Sequence, residues 1–367
     1  MSIIIFLIIL AALVLVHEFG HFIVAKKSGI RVDEFGLGFP PKLWSKRFGE
    51  TTYSLNLIPF GGFVKIHGEN PDEESTSGPD SGRSFVNKPR HIQALVLIAG
   101  ILFNIIFAWL LLSASFLGGI AASSEDYAVY ASRISDARII IIGTTKDSPA
   151  ETAGLKAGDR LLALRAGTMS LAEPLEVENI QEFISSNKNK EVTVTYSRGD
   201  ERKEVSVTPQ EGLVPDRAII GVSMDKAGTL QLPFHLALYE GGRLTIHMVK
   251  GVSVGLFQFI WGAVRGGADL TSVSGPVGIV GLVGDATKLG FTYLLSFTAL
   301  ISINLAIINL IPFPALDGGR LLFVAIESII RRAINPKISN TVNAVGFSLL
   351  LFFMLFITYK DIVKLFT

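Results

Sequence analysis

Apolar residues in this chain come in long uninterrupted runs, with the polar ones gathered between them. Four runs, at residues 3–25, 92–120, 291–311 and 342–359, are long enough to cross a hydrocarbon core as helices, which takes roughly 17 to 25 residues. The first has neither a basic leader nor a small-residue cleavage site, and its charges, Lys26, Lys27 and Arg31, come only after it. It reads as a retained anchor. Lys and Arg collect between the first two runs and between the last two, the pattern of cytoplasmic loops, which sets both chain ends and residues 121–290 on the far side. Within that far segment, 252–264 is apolar but short, an interfacial or re-entrant helix, so residues 230–290 read as an amphipathic, interfacial helical stretch.

Other stretches alternate as strands do. "TTYSLNLIPFGGFVKI" at 51–66 alternates on either side of Gly61 and Gly62 and predicts a membrane-associated hairpin over about 51–67. "EVTVTYSRGDERKEVSVTP" at 191–209 predicts a second hairpin turning at 198–200. Together with "SPAETAGLKAGDRLLAL" at 148–164 and "IIGV" at 219–222, that hairpin resembles part of a PDZ domain of the kind found in bacterial proteases, at about 126–226. The tetrapeptide "GLGF" at 36–39 matches a PDZ loop signature, but Pro40 and Pro41 follow it and no such module surrounds it. Residues 68–90, rich in Ser, Pro and acids, read as a flexible loop without chemistry.

The expected fold class is therefore a polytopic α-helical membrane protein of about four transmembrane helices, with a membrane-associated β-hairpin and one extracytoplasmic α+β PDZ domain. The expected segments are a first span at 1–27, a cytoplasmic-side loop at 28–90, a second span at 91–120, the PDZ domain at 126–226 and the interfacial stretch at 230–290. A third span at 291–320 and a fourth at 341–360 complete the chain.

Composition sharpens this. Of 367 residues, 49% are hydrophobic and 18% charged, with a mean hydropathy of +0.47, the balance of a membrane protein with soluble parts. A net charge of +1 gives no footing for nucleic acid. With no cysteine, disulfides and thiolate metal sites are excluded, so any metal must use His, Asp or Glu.

The candidate chemistry sits at the end of the first run, where residues 17–21 read "HEFGH". Four residues apart on a helix, His17 and His21 share a face and can reach one Zn²⁺, and Glu18 beside them can take a proton from a metal-bound water. Polar heads at a helix end could merely reach the interface, but the apolar run continues past His21 through "FIVA", and ionisable groups at membrane depth are costly. A catalytic zinc usually has three protein ligands. Asp317, in "NLIPFPALDGGR" at 309–320, lies where prolines and glycines break the helix, near the same membrane face as the histidines.

These pieces resemble the site-2 proteases, intramembrane zinc metallopeptidases of the bacterial regulator-of-sigma-E type. The matching stretches are "HEFGH", "PFGGFVKIHGE" at 59–69, "AGILFN" at 99–104, "SGPVGIVG" at 274–281 and "NLIPFPALDGGR". The resemblance implies Zn²⁺ held by His17, His21 and Asp317, Glu18 as the catalytic base, and Asn309 and Asn104 positioning substrate or the oxyanion. Ile101 stands where the second-span motif usually has proline, and the single PDZ module departs from members that carry two. The resemblance also implies a substrate-binding strand edge near Gly61, Gly62 and Phe63, and single-span membrane proteins as substrates, such as an anti-sigma factor or a signal-peptide remnant. It implies a multi-pass bacterial inner (cell) membrane protein with its active site near the cytoplasmic side, the lipid bilayer around it, and peptide or ectodomain contact through the PDZ domain.

Two rivals differ in sequence. A membrane prenyl-protein protease should carry a downstream Glu ligand on a helix, where this chain has "PALDGG". A zinc transporter, or a scaffold with a vestigial metal site, should show polar residues across several spans, and "VGFSLLLFFMLFITY" in the fourth has almost none.

Overall fold

The computed structural model describes residues 1–70, 73–199, 201–214, 217–267 and 274–364. They form two units, Met1–Ser115 with Phe234–Thr367, and Phe116–Pro233.

The first unit opens with α1 (Ser2–Lys27), without charge from Ile3 to Val16, and in its last turn Lys26 and Lys27 complement the negative end of the helix. Next come β1 (Val32–Phe48), β2 (Thr51–Ile66), the short α2 (Glu73–Ser77) and α3 (Arg90–Gly118). The β1–β2 pairing differs from the predicted hairpin. The turn lies at Gly49 and Glu50, and Gly61 and Gly62 are inside β2. Residues 34–37 of β1 pair with both 52–55 and 62–65 of β2, while 42–48 pair with 51–56. The partner of the 62–65 stretch therefore lies upstream, which local alternation cannot reveal. Gly61, at φ +108°, lets the strand bend beside the Phe39 ring.

The polar segment after β2, read as a loop, is tied down by ion pairs to residues distant in sequence. Arg31 meets Asp80 at 2.5 Å, Arg83 meets Glu50 at 2.7 Å, and Glu69 pairs with Arg320. Pro71 and Asp72 of that segment lie outside the described residues.

The second unit contains β3 (Ile120–Ser123), β4 (Ile134–Thr144), α4 (Pro149–Thr152), β5 (Arg160–Ala166), β6 (Met169–Ala172) and α5 (Val177–Ser186). It continues with β7 (Val192–Arg198), β8 (Glu201–Val207), β9 (Gln210–Val214), β10 (Arg217–Ile219) and β11 (Val222–Leu230). The sheet runs β3-β11-β4-β5-β7-β8, with β6 on β5 and β9–β10 as a separate pair. Val192 to Arg198 pair with Val207 to Glu201, as the sequence pattern predicts, and Asp200 in the turn lies outside the described residues. Ile180 and Ile184 of α5 pack on Ile139, Leu161, Leu164 and Val194 to form the core. Burial would raise the Asp159 carboxyl, but two bonds from Arg198, at 2.7 and 2.8 Å, and the Lys156 N–H hold it below the usual carboxylate range.

The first unit resumes with α6 (Phe234–Val264), α7 (Pro276–Lys288), α8 (Phe291–Leu310), α9 (Asp317–Ile330) and α10 (Pro336–Lys364). Among the described residues five helices, α1, α3, α6, α8 and α10, are long and apolar enough to cross a membrane, where the sequence pattern gave four. The difference is α6, whose glycines do not interrupt it. Gly241 sits where a Cβ would come within 2.3 Å of Ser113 Oγ, so tertiary packing makes use of the missing side chain. Residues 268–273, within the stretch read as interfacial, lie outside the described residues.

Candidate metal centre

α1 turns His17 and His21 inward, at 7% and 6% exposure, against a stripe of α3 spaced by four residues. Val96 O accepts a hydrogen bond from His21 Nδ1 at 2.8 Å, and fully buried Asn104 lies 3.2 Å from His17 Nδ1. Between them is Gly100, where a Cβ would sit 2.3 Å from His21 Nε2 and 2.9 Å from His17 Cε1. Any larger residue would fill the space that the two imidazoles need.

Asp317, the first residue of α9, completes the group. The break before it has a specific geometry. Leu316 N–H donates to Phe313 O at 3.2 Å, closing a turn with Pro314 second and Ala315 third. Ala315 has φ +73°, the left-handed value a type II turn requires at that position and usually fills with Gly or Asn, at a cost for alanine of roughly 1 to 2 kcal/mol. Gly318 then lets α9 start against the end of α8, since a Cβ there would meet Ile311 O at 2.3 Å.

His17 Nε2, His21 Nε2 and Asp317 Oδ2 form a nearly equilateral triangle, with sides of 3.0, 3.2 and 3.3 Å. Donors about 2.0 to 2.1 Å from a tetrahedral zinc lie roughly 3.3 Å apart, so the triangle has the size of one zinc face. Its electrostatics agree. His21 spends its Nδ1 proton on Val96, leaving Nε2 a bare lone pair, and Asp317 Oδ2 is buried with no hydrogen-bond donor among the described residues. Lone pairs converging at such distances repel unless a cation lies between them. The residues present fit zinc.

Glu18 lies beside this triangle, half-buried, within reach of the Val64 backbone amide, and Gly62 packs against its side chain. Gly61, Gly62 and Phe63 belong to β2, with the Phe63 ring across Gly36. Asn309 is half-buried in the last turn of α8 and makes no side-chain hydrogen bond among the described residues. Asn104, expected beside substrate, is found instead behind His17, at the ring nitrogen away from the triangle. A polar cavity of about 430 Å³ opens at Asp317, lined also by Asn70, Arg320, Asn340 and Asn343.

Sequence reasoning missed Gly100, the Val96 carbonyl, Ala315 and Asn343. The spacing of 96, 100 and 104 on one helix face was the available signal for the first two. Ala315 and Asn343 left none, because a left-handed alanine and a contact across 28 residues do not show in local pattern.

The sequence profile of Peptidase family M50 matches residues 5–353. The chain belongs to that family. It is similar to the zinc metalloprotease RasP of Shouchella clausii, 29% identical over 443 residues and covering 99% of each chain. A protein of Clostridium perfringens, provisionally named a zinc metalloprotease, is 34% identical over 374 residues, 99% of each chain. A Nostoc sp. protein with the same provisional name is 32% identical over 376 residues, 100% of this chain and 97% of that one. This M50 peptidase is a zinc metalloprotease of the membrane, and its family assignment removes the transporter and the scaffold as readings.

Proposed function

We propose that this M50 peptidase cuts single-span membrane proteins within the bilayer, at a zinc held by His17, His21 and Asp317. The observation that carries this reading is the zinc-sized triangle of bare donor atoms at the end of an apolar helix. Bound there, Zn²⁺ supplies the Lewis acidity that activates water and polarises a scissile carbonyl. Glu18 takes the proton of the attacking water and returns it to the leaving amine. Asn104 fixes the ring of His17. A ring that ligates through Nε2 carries its proton on Nδ1, so in the zinc-bound form the Asn104 amide turns its oxygen to accept that proton. Asn309 orients the substrate carbonyl, and the strand through Gly61, Gly62 and Phe63 receives an extended substrate by edge pairing, since a helical substrate hides its peptide bonds. The polar cavity at Asp317 admits the water that hydrolysis consumes.

Four spans suit this unit better than five. Ser296 Oγ donates to Ser115 Oγ at 3.1 Å and Ser302 Oγ to Asn104 O at 2.8 Å, so α3 and α8 run antiparallel, and the end of α3 and the start of α8 share a membrane face. The chain between them must then cross an even number of times. α7, at 13 residues, is about 20 Å long and too short to return a crossing made by α6. In this reading α6 lies against the membrane, and both termini and the 126–226 PDZ module lie outside the cytoplasm, in a bacterial inner membrane.

The test of function is cleavage of a model single-span substrate by purified protein, with zinc measured in the same sample. About one zinc per chain and cleavage within the span are expected, and chelation should abolish cleavage until zinc is returned. Zinc without any cleavage of membrane substrates would refute the reading.

The second unit contains no metal-binding cluster among the described residues, and its groove between α5 and β10–β11, about 250 Å³, is lined largely by apolar groups with Arg217. Its assigned role is to restrict substrates by their ectodomains. Deleting 126–226 behind a short linker should preserve cleavage of short-ectodomain substrates and raise that of long ones. Loss of both activities in a zinc-loaded deletion would contradict that role.

A further inference from the structure

One side chain of α10 reaches the turn that precedes Asp317. Asn343 Oδ1 accepts a hydrogen bond from the Ala315 N–H at 3.2 Å. In a type II turn the N–H of the third residue has no partner within the turn, so it must find one outside. Asn343 is that partner. One helical turn further on, Gly346 lies so close to Pro314 that a Cβ there would come within 2.5 Å of Pro314 Cβ. α10 therefore presses on the turn from 343 to 346 and bonds to the one residue in it that holds a left-handed conformation.

Asp317 follows Ala315 by two residues and opens α9, so the turn decides where its carboxylate points. We propose that Asn343 is a positioning residue for the metal centre. By holding the Ala315 amide it keeps the 313–316 turn in its left-handed form, and so keeps Asp317 Oδ2 within 3.0 and 3.3 Å of the two histidines. An alanine that is not held relaxes toward negative φ, which rotates the following peptide and carries the first residue of α9 away from His17 and His21. The placement of α10 is thereby coupled to zinc affinity. The inference rests on Asp317 being a zinc ligand.

The test reads zinc affinity of the full chain by competition with a chromophoric chelator, independently of turnover. Asn343→Leu keeps the volume and removes the acceptor, and it should weaken zinc binding by about 10- to 100-fold, the usual effect of losing a group that orients a ligand. Asn343→Asp keeps an acceptor and should stay near wild type. Ala315→Gly, added to Asn343→Leu, should restore most of the affinity, because glycine adopts this conformation without strain. A role for Asn343 in helix packing alone would not be repaired by a change at 315. Unchanged zinc affinity in Asn343→Leu, or no recovery on adding Ala315→Gly, would overturn the proposal.

Ala315→Val covers the case in which Asn343→Leu does not fold. It leaves Asn343 in place and puts a β-branched residue at φ +73°, so zinc should bind at least about tenfold more weakly, and wild-type affinity would overturn the proposal. Asp317→Ala in the same assay separates the two levels of argument. If it retains zinc, the ligand reading itself fails. If it loses zinc while Asn343→Leu and Ala315→Val keep it, only the positioning role falls.

Discussion

Glu18→Gln is expected to leave zinc bound and to stop cleavage. The change is nearly isosteric, and Glu18 is outside the triangle formed by His17, His21 and Asp317, so the donor set is untouched. What disappears is the acceptor for the proton of the attacking water, since an amide has no basic oxygen at neutral pH. General acid–base groups contribute roughly 10²- to 10⁴-fold, and a loss of at least a hundredfold should appear in turnover of a single-span substrate. Gly62 packs on the Glu18 side chain and limits where the carboxyl can point. Metal analysis of the same preparation completes the measurement. Full zinc occupancy with near-normal turnover would remove Glu18 from the mechanism.

The opposite pattern is expected at Asp317. Asp317→Ala should lose zinc and activity together, because two remaining protein ligands rarely hold a catalytic zinc. The neighbouring histidines then face each other with Nε2 atoms 3.2 Å apart and without the Asp317 carboxylate between them. Asp317→Glu keeps the charge but moves the carboxylate outward by one methylene, at a site where metal distances hold within about 0.2 Å. It should bind zinc weakly and cleave poorly. His17→Ala and His21→Ala should match Asp317→Ala, and atomic absorption alongside turnover separates all of them from Glu18→Gln. Full zinc and normal cleavage in Asp317→Ala would send the search for a third ligand elsewhere.

Much of this centre was open to reading in the chain itself, for a physical reason. His17, Glu18 and His21 lie within one helical turn, where backbone geometry alone puts two imidazoles on one face. The apolar runs were equally plain, because a helix in lipid must be apolar over its whole length. The β7–β8 hairpin was legible because its partner strands are adjacent in sequence. Local pattern failed wherever the partner is remote. β2 pairs back across β1 instead of folding on its own glycines, the 68–90 segment is anchored by charges far along the chain, and α6 stays helical through its glycines, of which Gly241 and Gly242 pack on α3.

The residue types at the metal centre were thus set by sequence, and their convergence was not. Asp317 stands 300 positions from His17, and only folding brings Oδ2 to within 3.0 Å of it. That approach depends on Gly100 leaving room for two rings, on a left-handed Ala315 before α9, and on an Asn343 amide from the last helix. Only Gly100 leaves a trace in the chain, in its spacing from 96 and 104; the other two have no local signature. Each is a steric or hydrogen-bond condition imposed by a neighbour on another helix, and it exists only once the helices have packed.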